Sequence, residues 1–156
     1  MKLALIADLH ANREAFGAVL AHAATQGAER HAFLGDYVGY GADPGWVVDR
    51  VREHLAAGAV AVKGNHDAAV AAGPQPSMVA DARAVVAWTR DRLDAAQLAF
   101  LAALPLTQVE GDTLFVHANA WAPAEPEMAS QRRCDESGMA MPGVGLNSPA
   151  LPVPER

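Results

Sequence analysis

The chain has little cysteine, no long apolar run and no basic stretch, and each absence excludes a class of protein. Its 156 residues include one cysteine, Cys134, so no disulfide can form within the chain. No apolar run approaches the length of a membrane span. The first run is interrupted by Asp8 and His10 before it reaches the length of a signal peptide. These absences predict a cytoplasmic protein with no membrane segment.

Acidic residues outnumber basic ones, with 18 Asp and Glu against 12 Lys and Arg, and the net charge is -6. No basic stripe is present that would neutralise a nucleic-acid backbone. We therefore expect no nucleic-acid polymer as a partner. The hydrophobic fraction of 51% is sufficient for one domain with a buried core.

Short apolar runs alternate with segments of helical periodicity, which predicts an α/β fold. The predicted strands are residues 3–7, 32–34, 59–62 and 113–116. A hairpin is predicted where Glu110, Gly111 and Asp112 separate residues 106–109 from 113–117.

Four helices are predicted from apolar spacing and from residues that suit helix ends. Asn12 is expected to cap the first, which runs to about residue 26, and Pro44 to lie in the first turn of the second. Ser77 is expected to cap a third helix through about residue 93. Asp94 caps a fourth, which Pro105 stops.

The last 38 residues differ in composition from the rest of the chain, with six of the ten prolines and the only cysteine. They contain little periodic apolar content, so no packed element is predicted there. We therefore divide the chain into a core at residues 1–118 and an atypical proline-rich tail at 119–156. A frameshifted end, a truncated or artificial end, and a natural interaction tail all fit this composition.

Four polar segments come directly after the predicted strands. They are Asp8-Leu9-His10, Gly35-Asp36, Gly64-Asn65-His66-Asp67 and Val116-His117. Buried parallel strands deliver such residues at one edge of a sheet. The four segments are therefore expected to meet in one crevice.

The side chains in these segments suit divalent cations. Asp8 and Asp36 supply carboxylates, which repel each other unless positive charge lies between them. Asn65 offers a carbonyl oxygen, and His117 offers a ring nitrogen. This mixed oxygen and nitrogen set suits manganese, iron or zinc better than calcium or a thiolate-loving ion. The glycines before Asp36 and Asn65 allow tight turns and close approach of the backbone to a bound phosphate.

Taken in order, the four segments resemble four of the five signatures of calcineurin-like metallophosphoesterases. Residues 7–12 and 33–41 look like the compact bacterial and archaeal members of phosphodiesterase type. The resemblance implies a metallophosphoesterase-type α/β sandwich that holds two divalent ions. Manganese is the expected metal, with iron, zinc, nickel and cobalt as alternatives.

The resemblance also implies a role for each residue. Asp8 and His10 would bind the first metal, Asp36 would bridge the two, and the second would be bound by Asn65 and His117. The other two residues are expected to be catalytic. They are His66, a proton donor or charge stabiliser near the leaving group, and Asp67, which either orients His66 or caps the following helix.

The implied reaction is hydrolysis of a small phosphodiester, nucleotide or phosphomonoester, with a metal-bound hydroxide as nucleophile. In the protein-phosphatase branch an Asp-Arg pair follows the Gly-Asp signature. This chain has Gly39-Tyr40 there, which argues against a protein phosphatase.

One departure from the family pattern concerns the metal ligands. The fifth signature, Gly-His-any-His, is missing, and no histidine follows His117. Each metal then lacks one expected ligand, and the sandwich is expected to be truncated in its C-terminal sheet. Two hypotheses remain, a metal-dependent phosphoesterase and a catalytically impaired fragment or non-enzymatic binding module.

Overall fold

The computed structural model describes residues 1–120, which belong to one compact unit. The strands are β1 (Leu3–Ile6), β2 (Arg30–Phe33), β3 (Val60–Ala61), β4 (Thr107–Glu110) and β5 (Thr113–Val116). The helices are α1 (Arg13–Thr25), α2 (Pro44–Ala56), α3 (Asn65–Ala72), α4 (Ala80–Arg90) and α5 (Ala95–Ala103). None of these helices is long and apolar enough to cross a membrane. The predicted tail at 119–156 lies outside the described residues apart from its first two.

The strands form two sheets. β1, β2 and β3 are parallel and hydrogen-bonded in that order, whereas β4 and β5 form an antiparallel pair. The α/β prediction and the hairpin are confirmed, and Gly111 and Asp112 make the turn. The expectation that all four site segments follow parallel strands is wrong for β5. Its two-residue connection to β4 permits only antiparallel pairing.

Alternate residues of the parallel strands face two separate cores. Ile6, Phe33 and Ala61 pack with the apolar faces of all five helices. Ala32 and Val60, which point the other way, pack with Phe115 of β5. The helices and the hairpin therefore cover opposite faces of the parallel sheet.

Two of the three capping predictions are confirmed, and one is wrong. Asn12 accepts a hydrogen bond from the N–H of Ala15, and Asp94 and Gln97 form a capping box. Ser77 does not cap α4. It lies in a turn closed by the Met78 N–H and the Gln75 carbonyl, and Val79 precedes the helix.

Candidate metal centre

The loops after β1 and β2 are joined by backbone hydrogen bonds that continue beyond the strands. The N–H groups of Asp8, His10 and Ala11 donate to the carbonyls of residues 35, 36 and 37, at 3.1, 2.9 and 2.8 Å. Within residues 1–120, every non-glycine residue with positive φ lies in these two loops: Asp8, His10, Ala11, Asp36 and Tyr40. The left-handed conformation costs roughly 1–2 kcal/mol per residue, so strain is concentrated where the polar groups gather.

Two glycines allow the loops after β2 and β3 to touch. A Cβ atom on Gly64 would lie 2.1 Å from Oδ1 of Asp36. Gly35 has a φ of +96°, and a Cβ there would lie 2.5 Å from the backbone nitrogen of Gly64. The sequence predicted a close approach between these glycines and a bound phosphate. In the structure both positions are closely packed against protein atoms because the two loops interlock at this point. The approach of a phosphate stays a prediction.

Asp36 is the centre of the cluster and is buried, with 3% of its surface exposed. Its Oδ2 lies 3.4 Å from Nε2 of His117 and 3.9 Å from Nε2 of His10. Asp8 approaches from one side, with Oδ1 3.8 Å from Nε2 of His10. Asn65 approaches from the other, with Oδ1 3.2 Å from Nε2 of His117. The structure therefore brings together all five residues predicted to bind metal.

Backbone carbonyls orient the two histidines. Nδ1 of His117 lies 2.7 Å from the carbonyl oxygen of Leu34, and Nδ1 of His10 lies 3.3 Å from that of Val38. A carbonyl can only accept, so each Nδ1 carries a proton. Nε2 of each ring faces the carboxylates and is the atom left to bind a metal, which for His117 requires loss of the proton on Nε2. These two carbonyls were not identified from the sequence, because a backbone group has no residue signature.

The electrostatics of the cluster place a proton between His117 and Asp36. The hydrogen bond to Asp36 raises the pKa of His117 to about 9. Burial acts to raise the pKa of Asp36, but the bonds from His117 and from the N–H of His66 outweigh it and leave this pKa lowered. A cation at this position would take the place of that proton.

Two groups of side chains, both of which include Asp36, could hold a metal ion. Ligand atoms of Asp8, Asp36 and His117 lie within 4.8 Å of one another, and so do those of His10, Asp36 and His66. The second group includes His66, which the sequence assigned to catalysis rather than to metal binding. Carboxylate oxygens and imidazole nitrogens suit manganese, iron and zinc.

His66 lies in the first turn of α3, and its backbone N–H and its imidazole ring have different environments. Its backbone N–H donates to Oδ1 of Asp36 at 2.9 Å. Its ring lies 4.9 Å from that of His10, measured between centroids. Burial lowers the pKa of His66, so the imidazole is mainly neutral at pH 7. The ring is therefore beside the cluster and can offer an N–H to a departing oxygen.

The sequence left open whether Asp67 orients His66 or caps the following helix, and its contacts distinguish the two roles. It is fully buried, and its two oxygens accept from the N–H groups of Gly64, Asp36, Tyr37 and Val38 at 2.8–3.3 Å. Burial raises its pKa to about 6, against the effect of these bonds. Asp67 thus caps α3 and also ties the β2 loop to it. It acts as a positioning residue, because its oxygens are engaged by backbone groups.

Tyr40 is a residue of the site that sequence reasoning missed. Its ring lies 5.0 Å from that of His10 and 4.8 Å from that of His66. The available signal was an aromatic residue between two glycines, four residues after Asp36.

Comparisons with known proteins agree with this geometry. The family model described as calcineurin-like phosphoesterase matches residues 1–133. An uncharacterised protein of Methanocaldococcus jannaschii is 34% identical over 131 aligned residues, and the match covers 81% of this chain and 51% of the relative. A metallophosphoesterase structure from Sphaerobacter thermophilus is 35% identical with a TM-score of 0.61, and the match covers 73% of this chain and 45% of that one.

A further solved structure, of a hypothetical protein from Pyrococcus horikoshii, is similar in fold. It is 22% identical with a TM-score of 0.59, and the match covers 69% of this chain and 49% of that one. The chain therefore spans about half the length of the proteins it matches.

Proposed function

Because the chain belongs to the calcineurin-like phosphoesterase family, we propose that it hydrolyses phosphoester bonds at the cluster centred on Asp36. The observation that carries the proposal is the convergence on this one buried carboxylate. Two imidazole Nε2 atoms, those of His10 and His117, lie 3.9 and 3.4 Å from its Oδ2. Both rings are oriented by backbone carbonyls at Nδ1, so that Nε2 faces this carboxylate.

In the proposed site Asp36 is shared between two cations, with manganese as the expected metal. Asp8 and His10 would hold one and Asn65 and His117 would hold the other. Bound there, divalent ions would lower the pKa of a water toward neutrality and offset the negative charge of the phosphoryl oxygens. The protein's own contribution is to fix the carboxylates and imidazoles before substrate arrives.

The proposed substrate is a small phosphodiester, nucleotide or phosphomonoester. A cleft of about 720 Å³ opens beside Asp8 and His10, and among the described residues its lining includes Glu14 and Asp43 but no lysine or arginine. Such a lining disfavours a polyanion, because each additional phosphate would meet carboxylates. In this proposal His66 donates its N–H to the leaving oxygen.

The test is hydrolysis of bis(p-nitrophenyl) phosphate with and without added manganese. Asp36→Asn keeps the shape of the side chain and removes its charge, so turnover is expected to fall to the background rate. Asp112→Asn, in the exposed hairpin turn, is the matched control and should leave turnover unchanged. Equal manganese-dependent rates in the two variants would refute the assignment of the site.

The second candidate is a binding module that holds phosphate without turning it over. The observation that favours it is that no histidine follows His117, so this chain contains only part of the family's ligand set. Binding of inorganic phosphate by the manganese-loaded protein, with no release of p-nitrophenol, would support this candidate over the first.

A further inference from the structure

Tyr40 is held in an unfavourable backbone conformation beside the cluster. Its φ is +65°, and the glycines on both sides fit a backbone that a side chain would obstruct. A Cβ on Gly41 would lie 2.3 Å from the carbonyl oxygen of His10, and one on Gly39 would lie 2.8 Å from Nδ1 of His66. A non-glycine residue in this conformation costs free energy that asparagine or glycine would reduce. The fold therefore maintains the backbone of Tyr40 in this conformation despite its cost.

The ring of Tyr40 touches the site and yet is mostly open to solvent. It is inclined at 61° to the ring of His10 and at 57° to that of His66, while 69% of the residue's surface is exposed. The other exposed aromatic residue in the described part of the chain, Trp88, differs in this respect. The guanidinium of Arg92 lies 3.5 Å from the centre of its ring. Tyr40 thus presents an aromatic surface directly next to the candidate metal ligands.

The surroundings of this aromatic surface are apolar and acidic. Tyr40 lines the cleft described above together with Leu5 and Val19, and Asp8 and Asp43 contribute the charge. A planar, uncharged ring can stack on tyrosine in such a place, whereas a second phosphate would be repelled. Stacking of a ring on an aromatic side chain also requires no hydrogen-bonding match, so it tolerates both aryl groups and nucleobases.

We infer that Tyr40 determines substrate specificity by stacking against a planar aromatic ester group, either aryl or nucleobase, of the phosphoester bound at the Asp36 cluster. This inference rests on the proposed function, since the phosphate must be held at the cluster for the ring to reach Tyr40. It names the class of ester that the site prefers over alkyl phosphoesters.

Binding of two phosphonates tests the inference without requiring turnover. Phenylphosphonate and methylphosphonate share the anionic group and differ in the ring. The manganese-loaded protein is expected to bind phenylphosphonate roughly two- to tenfold more tightly in calorimetry, the range of a single aromatic contact. Tyr40→Phe should keep this preference. Tyr40→Asn, which suits the left-handed backbone, should abolish it by weakening phenylphosphonate alone.

Several outcomes would overturn the inference. If Tyr40→Asn weakened both phosphonates equally at the same manganese content, the ring would merely support His10 and His66. If the preference survived in Tyr40→Asn, the ester group would lie elsewhere. Equal affinity of the unaltered protein for both probes would refute the role of Tyr40 alone, whereas no binding of either probe would refute the proposed function with it.

Discussion

The helices of this protein and the loops at the ends of its parallel strands differ in backbone conformation and in the space around their glycines. In the helices the dihedral angles are ordinary, and Gly17 of α1 has no neighbouring atom within 4 Å of an added Cβ. In the loops after β1 and β2 five non-glycine residues have positive φ. Gly35 of the β2 loop and Gly64 of the loop after β3 are in contact with the opposite backbone or with Asp36. Substitutions of the same kind should therefore have different effects in the two regions.

The largest difference is expected for glycine replaced by alanine. Gly64→Ala must displace Asp36, and we expect a loss of roughly 3 kcal/mol in the free energy of unfolding, the upper range for overpacking, together with loss of manganese binding. Gly17→Ala should stabilise the protein by roughly 0.5–1 kcal/mol, because alanine favours a helix. Urea unfolding and calorimetric titration with manganese measure both. Equal manganese affinity in the two variants would contradict the interlocked loops.

A smaller difference is expected for aspartate replaced by asparagine. Asp67→Asn puts an NH₂ group against backbone N–H donors in a buried place, at a cost of roughly 2–3 kcal/mol. Asp94→Asn should be nearly neutral, since asparagine caps a helix as well as aspartate does. Thermal unfolding of the two variants provides the measurement. Manganese affinity should also fall in Asp67→Asn although no proposed ligand is changed, and an unaltered affinity would count against the positioning role of Asp67.

Metal affinity is expected to depend on pH through His117. Its pKa is raised to about 9 in the metal-free protein, so a cation must displace a proton at any lower pH. The dissociation constant for manganese should fall by roughly tenfold for each unit that the pH rises toward 9, because one proton is released per ion. Calorimetry in buffers of different ionisation enthalpy counts that proton. Release of no proton at pH 7 would show that His117 is neutral before the metal binds.

The smallest effect is expected on stability and comes from His54 of α2. Its pKa is shifted in the opposite direction to that of His117. Burial, the neighbouring His31 and Arg50 lower the pKa of His54, while Glu53 opposes them. The unfolded chain then binds a proton more readily, so stability is lost as the pH falls from 6.5 through the lowered pKa. His54→Gln should unfold in urea with less difference between pH 7.5 and pH 5 than the unaltered protein. An unchanged difference would assign the acid sensitivity to other groups.

The sequence predicted the elements with strong local signals. Asn12 and Asp94 were identified as caps because an oxygen side chain directly precedes an apolar helical pattern. Ser77 had the same local features, but two prolines precede it and the turn at residues 75–78 delays the helix to Ala80. Helix α3 begins at Asn65, before Asp67, because the carboxylate of Asp67 reaches back to the N–H of Gly64. Such a start depends on a buried contact that a residue pattern does not show.

The site was predictable in its residues but only partly in its interactions. Polar residues after apolar runs indicated Asp8, His10, Asp36, Asn65 and His117, and the structure brings them together. Whether Asp67 orients His66 or caps α3 could be judged only once its four backbone donors were known, and these are not visible in the sequence. Tyr40 was missed because its importance comes from contacts with His10 and His66, which are distant along the chain.

The separation of the strands into two sheets has a consequence for how the site assembles and opens. His117 follows β5, while Asp8 and Asp36 follow strands of the other sheet. The hairpin is held in place by two contacts. Phe115 packs against the parallel sheet, and Arg30 forms a bidentate ion pair with Glu110. A transient detachment of the hairpin would divide the site into two parts, with His117 on one and the other four proposed ligands on the other. A cation bound by ligands from both parts would therefore hold the hairpin against the parallel sheet. It would slow amide hydrogen exchange in β4 and β5 far more than in α2.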